Sequence, residues 1–156
     1  MSRNERFAAA LHALGYAFDG PLKIGGNYVP VVRHGDQAFV SGQVPRVGDE
    51  IIHPGRVGER VSLADAQTAA KVSALRCLAL LADELGSLEA IKGIVRMTVF
   101  VQSAQDFTQQ SEVSNGASQV LYDVLGEAGA HTRTSVGVYQ LPKNAPVEVD
   151  MIAAVG

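Results

Sequence analysis

The chain has 156 residues, 47% hydrophobic and 19% charged, the balance of one globular domain with enough apolar material for a core. A net charge of −3 and a pI near 5.8 give no long-range attraction for a polyanion, and no run of Lys or Arg supplies one locally, so nucleic acid is not an expected partner. The single cysteine, Cys77, excludes an internal disulfide; it falls in an apolar helical pattern and reads as a small buried hydrophobe in a protein of a reducing compartment.

From Asn4 to Leu14 the apolar residues Phe7, Ala8, Leu11 and Leu14 recur at helical spacing, and Gly15 follows where a helix would end. Residues 1–20 therefore read as an N-terminal helical extension of a single domain spanning 1–156. Glu5, His12 and Gly15 interrupt its apolar run, so neither a signal peptide nor a membrane span is expected, and the location implied is cytoplasmic. After the loop "DGPLKIGGNYVP", two β-rich runs flank His34-Gly35-Asp36 and predict a hairpin. The stretch from Val44 to Arg60 mixes Gly and Pro with Ile51 and Ile52, mostly loop with room for one brief strand.

Ser62, three residues before Asp65, opens a long Ala- and Leu-rich helix that runs to Leu85 and stops at Gly86. In "IKGIVRMTVFVQSA", Ile94, Arg96, Thr98 and Phe100 alternate with Val95, Met97, Val99 and Val101, the pattern of a central strand covered on both faces. A second helix is expected from Asp106 to Leu125, with Val113, Ala117, Val120, Leu121 and Val124 on one face. "AHTRTSVGVYQLPKNAPVEVD" then reads as two strands joined by a Leu141-Pro142 turn. This order predicts an α+β fold, one sheet with its two long helices packed on a single face, and leaves the other face to be buried by oligomerisation.

Chemistry-bearing motifs are sparse. Gly25-Gly26 has no Lys-Ser or Lys-Thr after it, so no phosphate loop is expected, and His12, His34, His53 and His131 stand singly, without metal-ligand spacing. Ser41 lacks the strand-turn-helix setting of a nucleophile; Ser41-Gly42 reads either as a bend at a strand end or as a floor where a ligand approaches backbone donors. Arg133 stands out, because a guanidinium must be solvated, paired or facing an anion. Pairing with Glu148 across the last two strands is one solution. The alternation places Arg133, Ser135 and Gly137 on one face, where small residues beside a fixed cation suggest a pocket for a carboxylate instead.

The segments "NYVPVVRHGDQAFVSGQVP", "RMTVFVQSAQDF", "VSNGAS" and "HTRTSVGVYQLPKNAPVEVD", in that order from Asn27 to the C-terminus, resemble the YjgF/Rid family, the reactive intermediate deaminases. The resemblance implies a chorismate-mutase-like fold with one mixed sheet, assembled as a homotrimer around a barrel-like core with clefts between subunits. It implies hydrolysis of enamine or imine intermediates such as 2-aminoacrylate to a 2-keto acid and ammonia, without a cofactor. Carried onto this sequence, Arg133 is the clamp for the substrate carboxylate and Glu148 the acid that orients or deprotonates water. Tyr28 and Asn115 line the cleft, Ser41 and Gly42 contact the ligand, and Ser135 stands where active deaminases often carry a bulkier or sulfur-bearing side chain. The N-terminal helix and the 44–60 loop exceed the compact members. A non-catalytic binder of 2-keto acids is the alternative; ribonuclease activity, attributed to some members, would need a basic groove that this composition does not offer.

Overall fold

In the computed structural model, which describes residues 1–156, the chain begins with α1 (Arg3–Ala13), within a residue of the expected helix at each end. Ser2 caps it: its hydroxyl accepts from the Glu5 amide while the Glu5 carboxylate accepts from the Ser2 amide, satisfying two of the donors that a helix start leaves open. The expected hairpin forms as β1 (Val31–His34) and β2 (Gln37–Gln43). The 44–60 stretch carries more structure than expected, a second small hairpin of β3 (Arg46–Val47) and β4 (Glu50–Ile51), closed by Gly48 at φ 61°, a conformation that favours glycine.

Helix α2 (Leu63–Leu85) starts at Ser62, whose hydroxyl accepts from the Asp65 amide, and stops at Gly86 in the left-handed region. Strand β5 (Gly93–Gln102) follows. Helix α3 (Gln110–Leu125) begins four residues later than predicted, because the Phe107 amide donates to Ala104 O and keeps the preceding segment in a turn. Strands β6 (Thr132–Val138) and β7 (Val147–Ala154) complete the chain.

The main sheet runs β1-β2-β7-β5-β6, with β5 and β6 parallel and the other neighbours antiparallel, so it is mixed as expected. The last two strands, however, do not pair with each other: β7 enters between β2 and β5, and β6 lies beyond β5 at the edge. Helices α2 and α3 contribute Leu75, Leu78, Leu81, Val113, Ala117 and Leu121 to one core with Met97, Val99 and Val101 of β5 and Val147, Val149 and Met151 of β7. Cys77 is buried in it, its thiol donating to Val149 O at 3.4 Å and pushed up in pKa chiefly by that burial.

One alternation was misjudged from sequence. Between Ile94 and Arg96 the β5–β7 register slips by one residue, so Ile94 and Met97 both reach the core, while Val95, expected beside Met97, is exposed. The face away from the helices carries lateral rows: Val32, Phe39, Ile152 and Arg96; then Thr98 and Asp150 with Thr134; then Phe100 and Glu148 with Val136. Val32 is 51% and Phe39 39% exposed, so no element of the chain covers this face. No helix is long and apolar enough to cross a membrane.

Leu78 is fully buried, and Leu78→Ala is expected to lower stability by about 2–5 kcal/mol in urea unfolding. A loss below about 1 kcal/mol would contradict this packing.

Candidate functional site

Arg133 lies second in β6, level with the core residue Met97, so its side chain is directed toward the helices at the open edge of the sheet. There α3 receives it. Nη1 donates to Asn115 Oδ1 at 2.9 Å and to Ser118 Oγ at 3.0 Å, and Nη2 donates to Ser111 Oγ at 2.8 Å and more loosely to Ser111 O at 3.3 Å. All these acceptors are neutral, and no carboxylate stands within 4.0 Å of the guanidinium. The cation is thus fixed in place without being neutralised.

Ser118 is itself held. His131 Nδ1 lies 2.6 Å from Gly129 O, which can only accept, so in the neutral ring Nε2 is left as an acceptor for the Ser118 hydroxyl at 2.8 Å. The Ser118 oxygen is then free to accept from Arg133. Ser111, Ser118 and His131 were not singled out from sequence, yet Ser111, Asn115 and Ser118 are spaced i, i+4, i+7. That polar stripe on α3, opposite its apolar face, was the available signal. Ser135 lies two residues beyond Arg133 on the same face and is half-buried.

Glu148 sits elsewhere. It is level with Phe100 on the face away from the helices, near the start of β7. Facing it, β2 is irregular: Val40 pairs with Met151 and Gln43 with Val149, so Ser41 and Gly42 occupy the space of a single residue. The bend reading of Ser41-Gly42 therefore applies within the strand. It brings Gly42 so near Glu148 that a Cβ there would lie 2.3 Å from Oε2. Tyr28, half exposed, joins Gly42 and Glu148 around a cavity of about 200 Å³ at this end of the sheet, while the Ser41 amide donates to Pro30 O.

The predicted residues therefore form two groups, Arg133 with Asn115 and Ser135, and Glu148 with Tyr28, Ser41 and Gly42. Within one chain they do not meet. β5 separates them, they belong to opposite faces, and their levels differ by three residues, about 10 Å along the strand. The Arg133–Glu148 pair considered from sequence is excluded by the central position of β7.

Burial, followed by the like charge of Asp150, raises the Glu148 pKa above the usual carboxylate range. Burial also raises Asp150, against the hydrogen bonds from Thr98 and the charge of Arg96 that favour its ionised form. Folding thus favours the protonated acids, and the stability they contribute is full below the ordinary carboxylate range and lost as pH rises through the raised values.

A mixed sheet with both long helices on one face, an arginine without a counter-charge at its edge and a desolvated carboxyl beside a bulge describe a small α+β protein. Residues 21–155 match the family model described as Endoribonuclease L-PSP, and the chain belongs to this family, that of the YjgF and Rid proteins, with their chorismate-mutase-like fold. It is 40% identical over 148 residues to Protein TCP17 of Trypanosoma cruzi, covering 94% of this chain and 92% of that protein. Atu1372 of Agrobacterium tumefaciens, a protein of unknown function, superposes with a TM-score of 0.87 at 37% identity over 98% of this chain and 94% of its own. Escherichia coli TdcF, solved with bound serine, gives 0.60 at 27% identity over 85% of this chain and 91% of its own.

Asp150→Asn removes the like charge beside Glu148, so the Glu148 pKa followed by carbon-detected NMR titration is expected to fall. An unchanged or higher value would show that Asp150 does not act on it.

Proposed function

We propose that the protein hydrolyses small imines and enamines derived from 2-amino acids, such as 2-aminoacrylate, to 2-keto acids and ammonia, at a site shared between copies of the chain. The observation that carries this reading is Arg133, a guanidinium oriented by three residues of α3 and left without a counter-charge. A substrate carboxylate can exchange with these neutral acceptors for a two-pronged, charge-assisted contact that fixes its orientation. The related TdcF was solved with bound serine, a small molecule that carries one carboxylate.

The reaction asks little beyond placement. An enamine gains a proton at its β-carbon and loses one from nitrogen to become the imine; water then adds its oxygen to the imine carbon as ionised Glu148 takes a water proton. That proton passes to nitrogen to give the carbinolamine, and the hydroxyl proton then moves to the nitrogen as the C–N bond breaks, releasing ammonia and the keto acid. No oxidation state changes overall, so the hydrolysis calls for no redox cofactor. Holding substrate and water in register supplies much of the acceleration, and a general base adds about 10²–10⁴-fold.

Arg133 and Glu148 lie on different surfaces of one chain, so a site that unites them forms between copies. A head-to-tail contact of unlike surfaces closes into a ring when its rotation permits, and we take that ring to be the homotrimer that the family resemblance implies. The exposed Val32, Phe39 and Val136 give the uncovered sheet face apolar material for its interior.

In a coupled assay that generates 2-aminoacrylate, keto-acid release is expected to exceed the rate without protein. Arg133→Ala should lower kcat/KM by about 10²-fold, and Glu148→Gln should lower kcat by about 10²–10⁴-fold. For the wild type, kcat should fall as acid protonates Glu148, with the limb above the ordinary carboxylate range. Release at the spontaneous rate would end the enzymatic reading; Arg133-dependent calorimetric binding of 2-oxobutyrate would then identify a carboxylate-binding protein without turnover.

Gly42→Ala is expected to displace the flexible Glu148 carboxylate from the added Cβ, lowering turnover at least about tenfold with little change in Tm. Full activity in this variant would show that the Glu148 position is not used.

A further inference from the structure

The cavity beside Glu148 carries more positive charge than the hydrolysis requires. Of its twelve lining residues, Lys23, Arg46, Arg76 and Lys143 are cationic and Glu148 is the one acid. Lys23 is paired with Asp49, whereas Arg46, Arg76 and Lys143 have no carboxylate within 4.0 Å, Glu148 included. Arg76 is the anomaly among them. It projects from α2, is 3% exposed, and a charge so buried is normally paired.

Its contacts are all neutral: Nε donates to Gln43 Oε1 at 3.2 Å, Nη1 to Arg46 O at 2.9 Å and Nη2 to Lys23 O at 2.9 Å. These bonds tie α2 to β3 and to the loop after α1, which accounts for an arginine at this position. They use three of five donors and leave the charge uncompensated. Burial, then the neighbouring charge of Arg46, push its pKa down, which reflects how poorly its surroundings offset the cation. The tie does not account for Arg46 and Lys143, which line the same cavity without acidic partners.

We propose that this cavity receives a second acidic group of the ligand, so that the site prefers the imines of dicarboxylic amino acids to those of monocarboxylic ones. The inference rests on Arg133 taking the first carboxylate. The distal carboxylate lies on the Arg46, Arg76 and Lys143 side of the cavity, with Glu148 left to the water. A distal carboxylate that meets even one of these cations through a charge-assisted hydrogen bond gains at least about tenfold in affinity over an alkyl end.

The test uses stable keto acids of equal chain length, 2-oxoglutarate and 2-oxopentanoate, measured by calorimetry at fixed ionic strength on the full-length wild type. Binding of 2-oxoglutarate at least about tenfold tighter is expected. In Arg46→Gln and in the Arg46→Gln, Lys143→Gln double variant, that preference should shrink stepwise toward equality. These side chains are used rather than Arg76, whose removal would also untie α2 from the loop.

Equal binding of the two acids by the wild type would overturn the inference while leaving the Arg133 reading intact. A preference that survives in the double variant would overturn it as well. Failure of both acids to bind, or binding of 2-oxopentanoate that ignores Arg133→Ala, would remove the carboxylate reading itself and the inference with it.

Discussion

The entry of β7 between β2 and β5 is the constraint on which the site depends. A central strand is hydrogen-bonded on both sides and packed by helices on one face, so each of its residues has a fixed level and a fixed face. Val147, Val149, Met151 and Ala153 fill the helix side, which sends Glu148 and Asp150 to the other. The same insertion moves β6 to the edge, where Arg133 leans on α3. Arg133 near the start of β6 and Glu148 near the start of β7 thus stand at different levels, on opposite faces and with β5 between them, so neither can neutralise the other within one chain.

Each charge is then kept uncompensated by a specific local device. Neutral acceptors on α3 fix Arg133, and His131 orients one of them by taking the Ser118 hydroxyl proton into its own hydrogen bond. Glu148 is desolvated and set beside a second carboxyl, which holds its proton more tightly than in water. Arg76 is buried against carbonyls and an amide in place of an acid. Isolated charges are unfavourable in a folded protein, so their recurrence near one end and one edge of the same sheet is better matched to ligand chemistry than to stability.

Much of this was legible in the sequence where the signal is local. Helix periodicity, the Ser62 cap and Gly86 stop, and the glycine between β1 and β2 all act within a few residues, and those elements form as read. Reading failed where the cause is non-local. The slip at Ile94 exists only because β7 pairs there, the order of β6 and β7 is set by long-range pairing, and the β3–β4 hairpin is too short for its pattern to stand out among glycines and prolines. At the site, Arg133 stood out in the sequence as a charge in a strand and meets Asn115 through a hydrogen bond, while Arg76 looked like one more residue of an apolar helix. Nothing in its sequence neighbours announces that its guanidinium ends at a cavity built by the loop after α1 and by β3.

The central claim, that Arg133 of one copy serves Glu148 of another, is tested most directly by subunit mixing. Arg133→Ala and Glu148→Gln chains, each inactive alone, would be unfolded together, reassembled and assayed for imine hydrolysis. A site shared between copies predicts recovery of about a quarter of wild-type activity on random mixing, because some interfaces then pair an intact arginine with an intact glutamate. Mixed assemblies that form and remain inactive would contradict the account.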